Sequence, residues 1–226
     1  MPKRVLVAWS SGKDSAWSLH LLRKQPDIEI VGLFTTMSAG TQRVAVHAVR
    51  EDLLDAQARA LGLPLRKIAL PRPCPNDVYA AAMRDLVLEV KRAGVTHLAF
   101  GDLFLEDIRA YREQLFEGSG LGLLFPVWGL PTRLLAEEMT AAGLRAYLTC
   151  IDPGRVPKAW AGRQFDPAFV AGVPEGIDPC GERGEFHTFV FDGPMFDCPL
   201  RVRYGEITEH GGFVHADLLL DAPVMD

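Results

Sequence analysis

The stretch Val5-Leu6-Val7-Ala8-Trp9-Ser10-Ser11-Gly12-Lys13-Asp14-Ser15 decides the fold of this chain. An apolar run ends in a short polar turn with one glycine, and a segment with helical apolar spacing follows it. A strand, a tight turn and a helix start in this order are typical of phosphate sites, because backbone N–H groups and the positive end of the helix dipole face the anion. Residues 10–15 therefore predict a nucleotide site.

The spacing within this turn excludes two common nucleotide loops. A Walker A loop needs G-x-x-x-x-G-K-[ST], and a dinucleotide fingerprint needs three glycines as G-x-G-x-x-G, whereas residues 10–15 contain only Gly12. The order does match the S-G-G-x-D-S pattern of PP-loop ATP pyrophosphatases, with Ser11 at the first glycine position. Those enzymes cleave ATP between its α and β phosphates. The alternative is a serine-rich turn in which Asp14 caps a helix and Lys13 is solvated.

The turn supplies the candidate groups for ATP and Mg²⁺. Lys13 offers positive charge to a leaving pyrophosphate, and Asp14 offers oxygen to Mg²⁺, which prefers oxygen ligands and shared phosphates. Catalysis would be largely positioning and electrostatic stabilisation. The residues predicted to bind the nucleotide here are Ser10, Ser11, Gly12, Lys13, Asp14 and Ser15.

Composition and charge narrow the functional class. Hydrophobic residues make up 48% and charged residues 23%, and the formal net charge is −5, from 24 basic and 29 acidic residues. This acidic balance argues against a nucleic-acid partner. No apolar run approaches the roughly 20 residues of a membrane span. The first residues enter a strand rather than a signal peptide, and four scattered cysteines lack C-x-x-C spacing, so we expect a cytoplasmic protein with reduced thiols.

The first half of the chain alternates strand and helix patterns. Strands separated by helices of this length predict βαβ units and a doubly wound α/β fold, a mainly parallel sheet with helices on both faces. The strands are predicted at residues 4–9, 29–35, 66–70, 96–100 and 121–127, and the helices at 14–23, 41–61, 76–94 and 105–117.

The pattern changes beyond about residue 130. A helix over 132–142 and an apolar run over 146–151 lead into turn-rich segments with short β patterns. Those β patterns lie at residues 188–191, 200–204 and 213–217. We therefore predict a PP-loop ATP-binding domain over residues 1–130 and a smaller substrate-binding α+β domain over 131–226.

Two further segments are expected beside the phosphate loop. In an open parallel sheet, ligands bind at the carboxyl ends of the strands, where the strand order reverses. The adenine would rest against the backbone of Thr35, Thr36 and Met37 after the second strand. Gly101 would permit a close backbone approach, and Asp102 would reach the ribose or a metal. Alternatively, this Gly-Asp pair simply closes a strand.

Two polar clusters lie further along the chain. Arg109 and Arg112 share a helix face at i,i+3, with Tyr111 between them, and such a pair could clamp a carboxylate or phosphate. A solvated helix face is the alternative.

The second cluster is Cys180-Gly181-Glu182-Arg183-Gly184-Glu185-Phe186-His187-Thr188. It brings Glu182, Glu185 and His187 onto one compact turn, which could bind an amine or a metal, or transfer protons. A charged hairpin is the alternative.

Taken in order, these segments resemble the N-type ATP pyrophosphatases of the diphthine–ammonia ligase-like family. The likeness runs from the loop at 10–15 through Gly101-Asp102, the Arg109–Arg112 helix and Leu134-Leu135-x-Glu137 to the turn at 180–188. It implies an adenine nucleotide alpha-hydrolase-like fold. It also implies an amidation in which a substrate carboxylate is adenylated, AMP and pyrophosphate leave, and ammonium supplies the amide nitrogen.

The resemblance also implies roles for the candidate residues. Lys13, Asp14, Glu182, Glu185 and His187 would be catalytic, and Asp14 would be the metal ligand. Arg109, Tyr111 and Arg112 would bind the substrate.

The identity of the carboxylate stays open at this point. In the diphthine enzymes it belongs to a modified histidine of elongation factor 2, and those enzymes are expected to read E-G-G-E-Y-E-T where residues 180–188 read C-G-E-R-G-E-F-H-T. The histidine variant resembles a bacterial branch of the family, for which a small-molecule carboxylate such as a cobalamin precursor is the alternative. Homodimerisation is also left open.

Two other functions compete with this prediction. A tRNA-modifying PP-loop protein is disfavoured by the acidic charge and the missing C-x-x-C pairs. A non-enzymatic ATP- or AMP-binding protein of the universal-stress type shares the α/β architecture, yet has no need of Lys13-Asp14 beside a phosphate loop.

Overall fold

The computed structural model describes residues 1–39, 43–44 (backbone only) and 49–221. Its first half forms one sheet with helices between the strands. The strands are β1 (Lys3–Ala8), β2 (Ile28–Ser38), β3 (Arg43–Val44), β4 (Leu65–Leu70), β5 (His97–Ala99) and β6 (Gly122–Leu124), and the helices are α1 (Lys13–Arg23), α2 (Glu51–Ala60), α3 (Asn76–Arg92) and α4 (Glu106–Leu115).

Five of these strands run parallel in the order β4-β2-β1-β5-β6. The short β3 instead pairs antiparallel with the end of β2. The predicted doubly wound α/β fold is therefore confirmed. Because the order reverses between β1 and β5, the carboxyl ends of these two strands frame the crevice in which such sheets bind ligands.

Alternating side chains of β1 face two separate cores. Val5 and Val7 belong to the cluster formed with α1 and α2, whereas Leu6 belongs to the cluster formed with α3. A strand with both faces buried reads as a continuous apolar run, as observed here.

The second half is an antiparallel sheet with β7 (Arg145–Ile151) at its centre. It pairs with β8 (Gln164–Phe165), β9 (Phe186–Asp192) and β11 (Phe213–Leu220), and β11 forms a hairpin with β10 (Val202–His210). Helices α5 (Thr132–Ala141) and α6 (Pro167–Ala171) and a single 3₁₀ turn, Lys158–Trp160, complete this half.

The two sheets share one hydrophobic core. Val7 of β1 and Leu19 of α1 are fully buried in the same cluster as Leu148 of β7 and Phe189 of β9. Polar contacts also cross the boundary between the two sheets, which we call the seam. Arg50 binds Asp217 of β11, with both carboxylate oxygens 2.6–3.1 Å from the guanidinium. The antiparallel sheet is thus packed onto the α1 and α2 side of the parallel sheet.

The predicted helix over 41–61 begins later than expected. Helix α2 starts at Glu51, and residues 43–44 form β3, while residues 40–42 and 45–48 lie outside the described part of the chain. Val49 continues the apolar spacing of the helix, but it is buried ahead of it, and Arg50 has an extended backbone (ψ 148°). Because Val49 is buried although it lies outside the helix, the sequence shows the same apolar pattern that a longer helix would show.

The division at residues 130 and 131 stays a prediction. Among the described residues, no helix is both long and apolar enough to cross a bilayer.

Candidate functional site

A cavity of about 310 Å³ lies where the strand order of the parallel sheet reverses. Its walls come from the carboxyl ends of β1, β2 and β5, from the start of α1, and from residues 180–182 and 186–188 of the second half. Tyr79 of α3 and Arg112 of α4 complete the lining. Both halves of the chain therefore build one cavity, at the place where open α/β sheets bind ligands.

The predicted phosphate loop forms one side of this cavity. The Ser10 and Ser15 hydroxyls lie 3.1 Å apart, the Ser15 hydroxyl donates to the Gly12 carbonyl at 2.9 Å, and the Gly12 N–H reaches the Ser10 hydroxyl at 3.3 Å. Gly12 is the residue before α1, and no side chain caps the helix. The amides of the first helical turn lack partners within the helix, so this end of α1 is suited to an anion.

Ser11 occupies a conformation that favours glycine. Its φ is +72°, in the left-handed region, and it is the single non-glycine residue with positive φ in the described part of the chain. Its hydroxyl is buried without a hydrogen-bond partner. A serine therefore stands in a glycine-type backbone conformation at the first glycine position of the S-G-G pattern.

The loop is fixed to the second sheet by its backbone. The Ser11 carbonyl accepts from the Val190 N–H at 3.0 Å, and the Lys13 N–H donates to the Thr188 hydroxyl at 3.1 Å. Both partners belong to β9, so the antiparallel sheet holds the loop in place.

Sequence reasoning missed Gln57, which reinforces this attachment. The side chain is fully buried on α2 and contacts the loop, Trp9 directly after β1, and β9 at once. The sequence did offer a sign of this role, because Gln57 is the one amide on a helix face whose other buried residues are Leu53, Leu54 and Ala58. A polar residue at such a position needs hydrogen-bond partners.

Lys13 is buried between the two halves rather than solvated. Its ammonium binds the Asp14 carboxylate at 2.9 Å and the Cys180 carbonyl, and it lies 5.7 and 5.5 Å from the ring centres of Phe165 and Phe186. Although burial opposes the charged form, the neighbouring carboxylates, Asp14 first, hold the pKa of Lys13 above its usual value. The residue lines the cavity as a cation and also joins the loop to the turn at 180–188.

The two carboxylate oxygens of Asp14 have different surroundings. Oδ2 pairs with Lys13, whereas Oδ1 is buried without a hydrogen-bond partner among the described residues. A lone carboxylate oxygen facing a phosphate-type loop fits Mg²⁺, which is usually bound through one or two carboxylates plus substrate phosphates. The described residues contain no cluster of three or more metal-ligating side chains, so a metal here would depend on oxygens from a bound phosphate.

Gly101 allows the end of β5 to touch the start of α1. A Cβ at this position would lie 2.9 Å from the Asp14 carbonyl carbon and 2.9 Å from the Ser15 nitrogen. The close approach at Gly101 is thus made by the protein's own backbone, and an approach by a nucleotide stays a prediction.

Asp102 is paired with Arg112 across the cavity wall. The guanidinium makes two hydrogen bonds to the carboxylate, at 2.5 and 3.0 Å, and stacks 4.4 Å from the centre of the Phe100 ring. A bidentate pair of this kind fixes both side chains. Arg112 and Asp102 thus face the cavity as one rigid unit.

The other two predicted substrate residues on α4 do not line the cavity. Arg109 lies 4.8 Å from the ring centres of both Phe125 and Trp128 and binds Glu113 at 2.8 Å. Tyr111 is 37% exposed, with its ring 6.3 Å from that of Tyr79. The structure brings Arg112 alone of the three into the lining.

Asp178, which sequence reasoning also missed, shapes the glutamate-rich turn. Its carboxylate accepts from the N–H groups of Cys180 (3.4 Å) and Glu182 (2.8 Å). Glu185 accepts from the Asp178 N–H at 3.3 Å and is buried away from the lining. Burial also raises the pKa of the Cys180 thiol, which keeps it protonated. The two predicted glutamates therefore lie in different places, and Glu182 is the one in the cavity.

Glu182 combines a cavity position with an unusual pKa. Burial, and less strongly the nearby Asp14, raises its pKa to about 7, although its Oε1 accepts from the Leu103 N–H at 2.8 Å. A carboxyl poised near neutral pH is suited to proton transfer. His187 of β9 also lines the cavity, beside Thr188.

The predicted adenine segment belongs to β2, and two of its three residues line the cavity. Thr35 and Thr36 at the end of β2 line the cavity, while Met37 is buried in the core and does not. Trp9, Phe34 and Phe100 give this part of the wall an aromatic character.

The fold and the site define a class: an α/β protein with a phosphate-type loop at the reversal of its sheet, closed by a second, antiparallel sheet. Residues 3–123 match the diphthamide synthase N-terminal domain, and residues 131–224 match the diphthamide synthase C-terminal domain. The chain belongs to the diphthamide synthase family, a family of ATP-dependent diphthine–ammonia ligases. The predicted relationship is thereby confirmed.

Individual relatives are distant. The chain is 24% identical to the diphthine–ammonia ligases of Bos taurus and Homo sapiens over 233 residues, covering 92% of this chain and 85% of each enzyme. It is also 28% identical to the spectinabilin polyketide synthase system protein NorB of Streptomyces orinoci, over 100% of this chain and 11% of that protein.

Proposed function

We propose that this protein is an ATP-dependent ligase that adenylates a substrate carboxylate, releases AMP and pyrophosphate, and transfers ammonia to form an amide. One observation carries the proposal. The phosphate-type loop and Glu182, which are about 170 residues apart in sequence, line one cavity built by both sheets. Phosphate binding and proton transfer can therefore act on the same substrate.

The nucleotide has one natural orientation in this cavity. Its phosphates lie at the start of α1, where backbone N–H groups, Lys13 and the helix dipole stabilise negative charge. Its base lies against Thr35 and Thr36, beside the aromatic wall. Asp14 and the phosphates would hold Mg²⁺, which would supply further charge neutralisation.

Glu182 is the group that handles the proton of the nitrogen donor. At neutral pH ammonia is mostly ammonium, which has no lone pair with which to attack an acyl-adenylate. A cavity carboxylate with a pKa near 7 can bind ammonium, take one proton and leave ammonia beside the activated carbonyl. The substrate carboxylate attacks the α-phosphate of ATP, and pyrophosphate leaves. Ammonia then attacks the resulting acyl-adenylate and displaces AMP.

A small-molecule carboxylate is the substrate class that we favour over a protein histidine. The turn at 180–188 differs from the sequence expected of diphthine enzymes, and residues 180–182 and 186–188 line the cavity. A relative that matches this chain throughout is part of a polyketide synthase system by name, which supports a role in making a small molecule. A diphthine-type protein substrate and a cobalamin precursor are both among the candidate carboxylates to be tested.

The decisive experiment supplies ATP, Mg²⁺, ammonium and one candidate carboxylate at a time. We expect AMP and pyrophosphate in equal amounts, and mass spectrometry should find a product in which one hydroxyl is replaced by an amino group. Asp14→Asn is the matched variant, since it keeps size but removes the metal-binding charge, and it should abolish AMP formation. ATP binding without AMP release for any carboxylate would instead favour a non-enzymatic nucleotide-binding protein.

The proposal also includes the role of helix α4 and the cellular compartment. Arg112 is the α4 residue that we propose to contact the substrate, because it lines the cavity whereas Arg109 and Tyr111 do not. Free thiols at Cys74, Cys150, Cys180 and Cys198 suit a reducing cytoplasm.

A further inference from the structure

We infer that Tyr79 recognises the ribose of the nucleotide, by donating a hydrogen bond from its side chain to a ribose hydroxyl that Asp102 also binds. The inference rests on the proposed function, because that function places a nucleotide in the cavity. Sequence reasoning missed Tyr79, which lines the cavity together with Asp102 and Arg112.

The Tyr79 ring is held in place by apolar packing. Met83, Leu86 and Val90 form the buried stripe of α3, and Tyr79 extends this stripe by one helical turn and packs against the same cluster. Its ring centre also lies 6.3 Å from that of Tyr111. The residue is nevertheless only partly buried, so its polar end can face the cavity that it lines.

Arg112 determines which way the Tyr79 hydroxyl bonds. The guanidinium hydrogen-bonds to this hydroxyl. Because a guanidinium has only N–H donors, the phenolic oxygen is the acceptor, and the O–H proton needs a different partner. The described residues hold no acceptor for that proton. Burial raises the pKa of Tyr79, although Arg112 opposes the shift, so the hydroxyl keeps its proton at neutral pH and remains a donor.

Asp102 places an acceptor beside this donor. Its two oxygens accept from the Arg112 guanidinium at 2.5 and 3.0 Å, and each oxygen keeps capacity for a further hydrogen bond. Since Arg112 neutralises Asp102, the three side chains carry no net charge together. A phosphate or a free carboxylate gains little from such a group, and a metal ion would compete with the guanidinium for Asp102. A neutral hydroxyl, which both donates and accepts, fits it.

The position of this group selects a ribose hydroxyl. Gly101 packs against the start of α1, where a Cβ on it would lie 2.9 Å from backbone atoms of Asp14 and Ser15. Asp102 therefore directly follows the residue that touches the predicted phosphate loop. Because the ribose is joined to the α-phosphate, a nucleotide with its phosphates at this loop brings its 2′ and 3′ hydroxyls close to the end of β5.

The test combines one variant with two nucleotide analogues. Tyr79→Phe removes only the hydroxyl. We expect its Kd for Mg·ATP, measured by calorimetric titration, to rise about three- to tenfold, the effect of one lost hydrogen bond. With 2′-deoxy-ATP or 3′-deoxy-ATP, whichever lacks the bound hydroxyl, the same substitution should change Kd by less than about twofold, because the contact is already missing.

Tyr111→Phe is the matched control. Its ring neighbours that of Tyr79, but it does not line the cavity, so the Kd values for all three nucleotides should stay unchanged. If Tyr79→Phe weakens ATP and both analogues equally, Tyr79 supports the fold or another part of the nucleotide, and the inference is wrong. An unchanged Kd for ATP in Tyr79→Phe overturns it as well.

The wild-type protein alone provides a second test should the Tyr79 variant not fold. At least one of the two deoxy analogues should bind about threefold or more weakly than ATP, because it lacks the recognised hydroxyl. Equal binding of all three nucleotides contradicts the inference and leaves the proposed ligase function intact. Failure to bind ATP at all contradicts both, so the two failures are distinguished.

Discussion

At the scale of single residues, side chains in this site depart from what their type prefers. Ser11 adopts a glycine conformation, Lys13 is buried as a cation, and Glu182 has a carboxyl pKa near neutrality. Strain and perturbed ionisation of this kind persist only where the surrounding structure imposes them. The sequence identified all three residues as candidates, but their conformations and pKa values depend on neighbours that are distant in sequence.

Replacing Ser11 by glycine should stabilise the protein. The substitution removes the cost of the left-handed conformation and a buried hydroxyl without a partner, and it adds some freedom to the unfolded chain. We expect the free energy of unfolding to rise by about 1 kcal/mol, measured by urea denaturation. Ser10→Gly is the control, and it should lower stability because the Ser10 hydroxyl is hydrogen-bonded. Equal effects of the two exchanges would contradict this account.

Glu182→Gln should make stability less dependent on pH. The folded pKa is about 7, against a reference of 4.5. A carboxyl whose pKa is raised on folding stabilises the fold below the unfolded pKa, and this contribution is lost as pH rises through the folded pKa.

Between about pH 4.5 and 7, wild-type unfolding free energy should therefore fall by about 2 kcal/mol relative to the variant, allowing for partial solvent screening. Urea titrations across this range measure the difference. Glu137→Gln on the exposed side of α5 controls for the exchange itself. Parallel pH profiles of wild type and Glu182→Gln would argue against a raised pKa.

At the scale of elements, the strands and helices follow their sequence patterns closely. Strand β1 and helix α1 lie within one residue of their predicted bounds, and so does β4. The largest error concerned the start of α2, where a buried Val49 outside the helix continued the helical spacing. Periodicity reports which side chains are buried, and it does not report which element buries them.

The packing of β5 against α1 depends on Gly101. Gly101→Ala would place a methyl group 2.9 Å from backbone atoms of Asp14 and Ser15, which cannot rotate away. We expect a loss of about 1–3 kcal/mol in unfolding free energy together with weaker ATP binding, because α1 must shift. Thermal denaturation and calorimetric titration measure the two effects. Gly154→Ala is the control, since its methyl group would meet only an Asp152 side-chain oxygen at 3.1 Å.

At the scale of the whole molecule, the second sheet is part of the predicted phosphate site. Strand β9 binds the loop backbone, the turn at 180–188 closes the cavity, and one hydrophobic cluster includes residues of both sheets. The family match in two parts, residues 3–123 and 131–224, describes sequence units. Physically the units are coupled through this seam.

We therefore expect the two halves to unfold together. Heating should give a single transition whose calorimetric and van't Hoff enthalpies agree, because neither half can expose the shared core alone. Arg50→Ala, which removes a bidentate contact to Asp217 across the seam, should lower Tm without splitting the transition. Two resolved transitions in the wild-type protein would falsify this coupling.

The sequence by itself determined the class of fold and the family and predicted the phosphate loop, because local patterns and the short ordered motif at residues 10–15 carry that information. The tertiary structure decided what surrounds that loop. It separated Glu182 in the cavity from Glu185 in the core, paired Asp102 with Arg112, and added Gln57. These arrangements join residues from different strands and helices across both sheets, and contacts between distant segments leave no period or spacing in a single sequence.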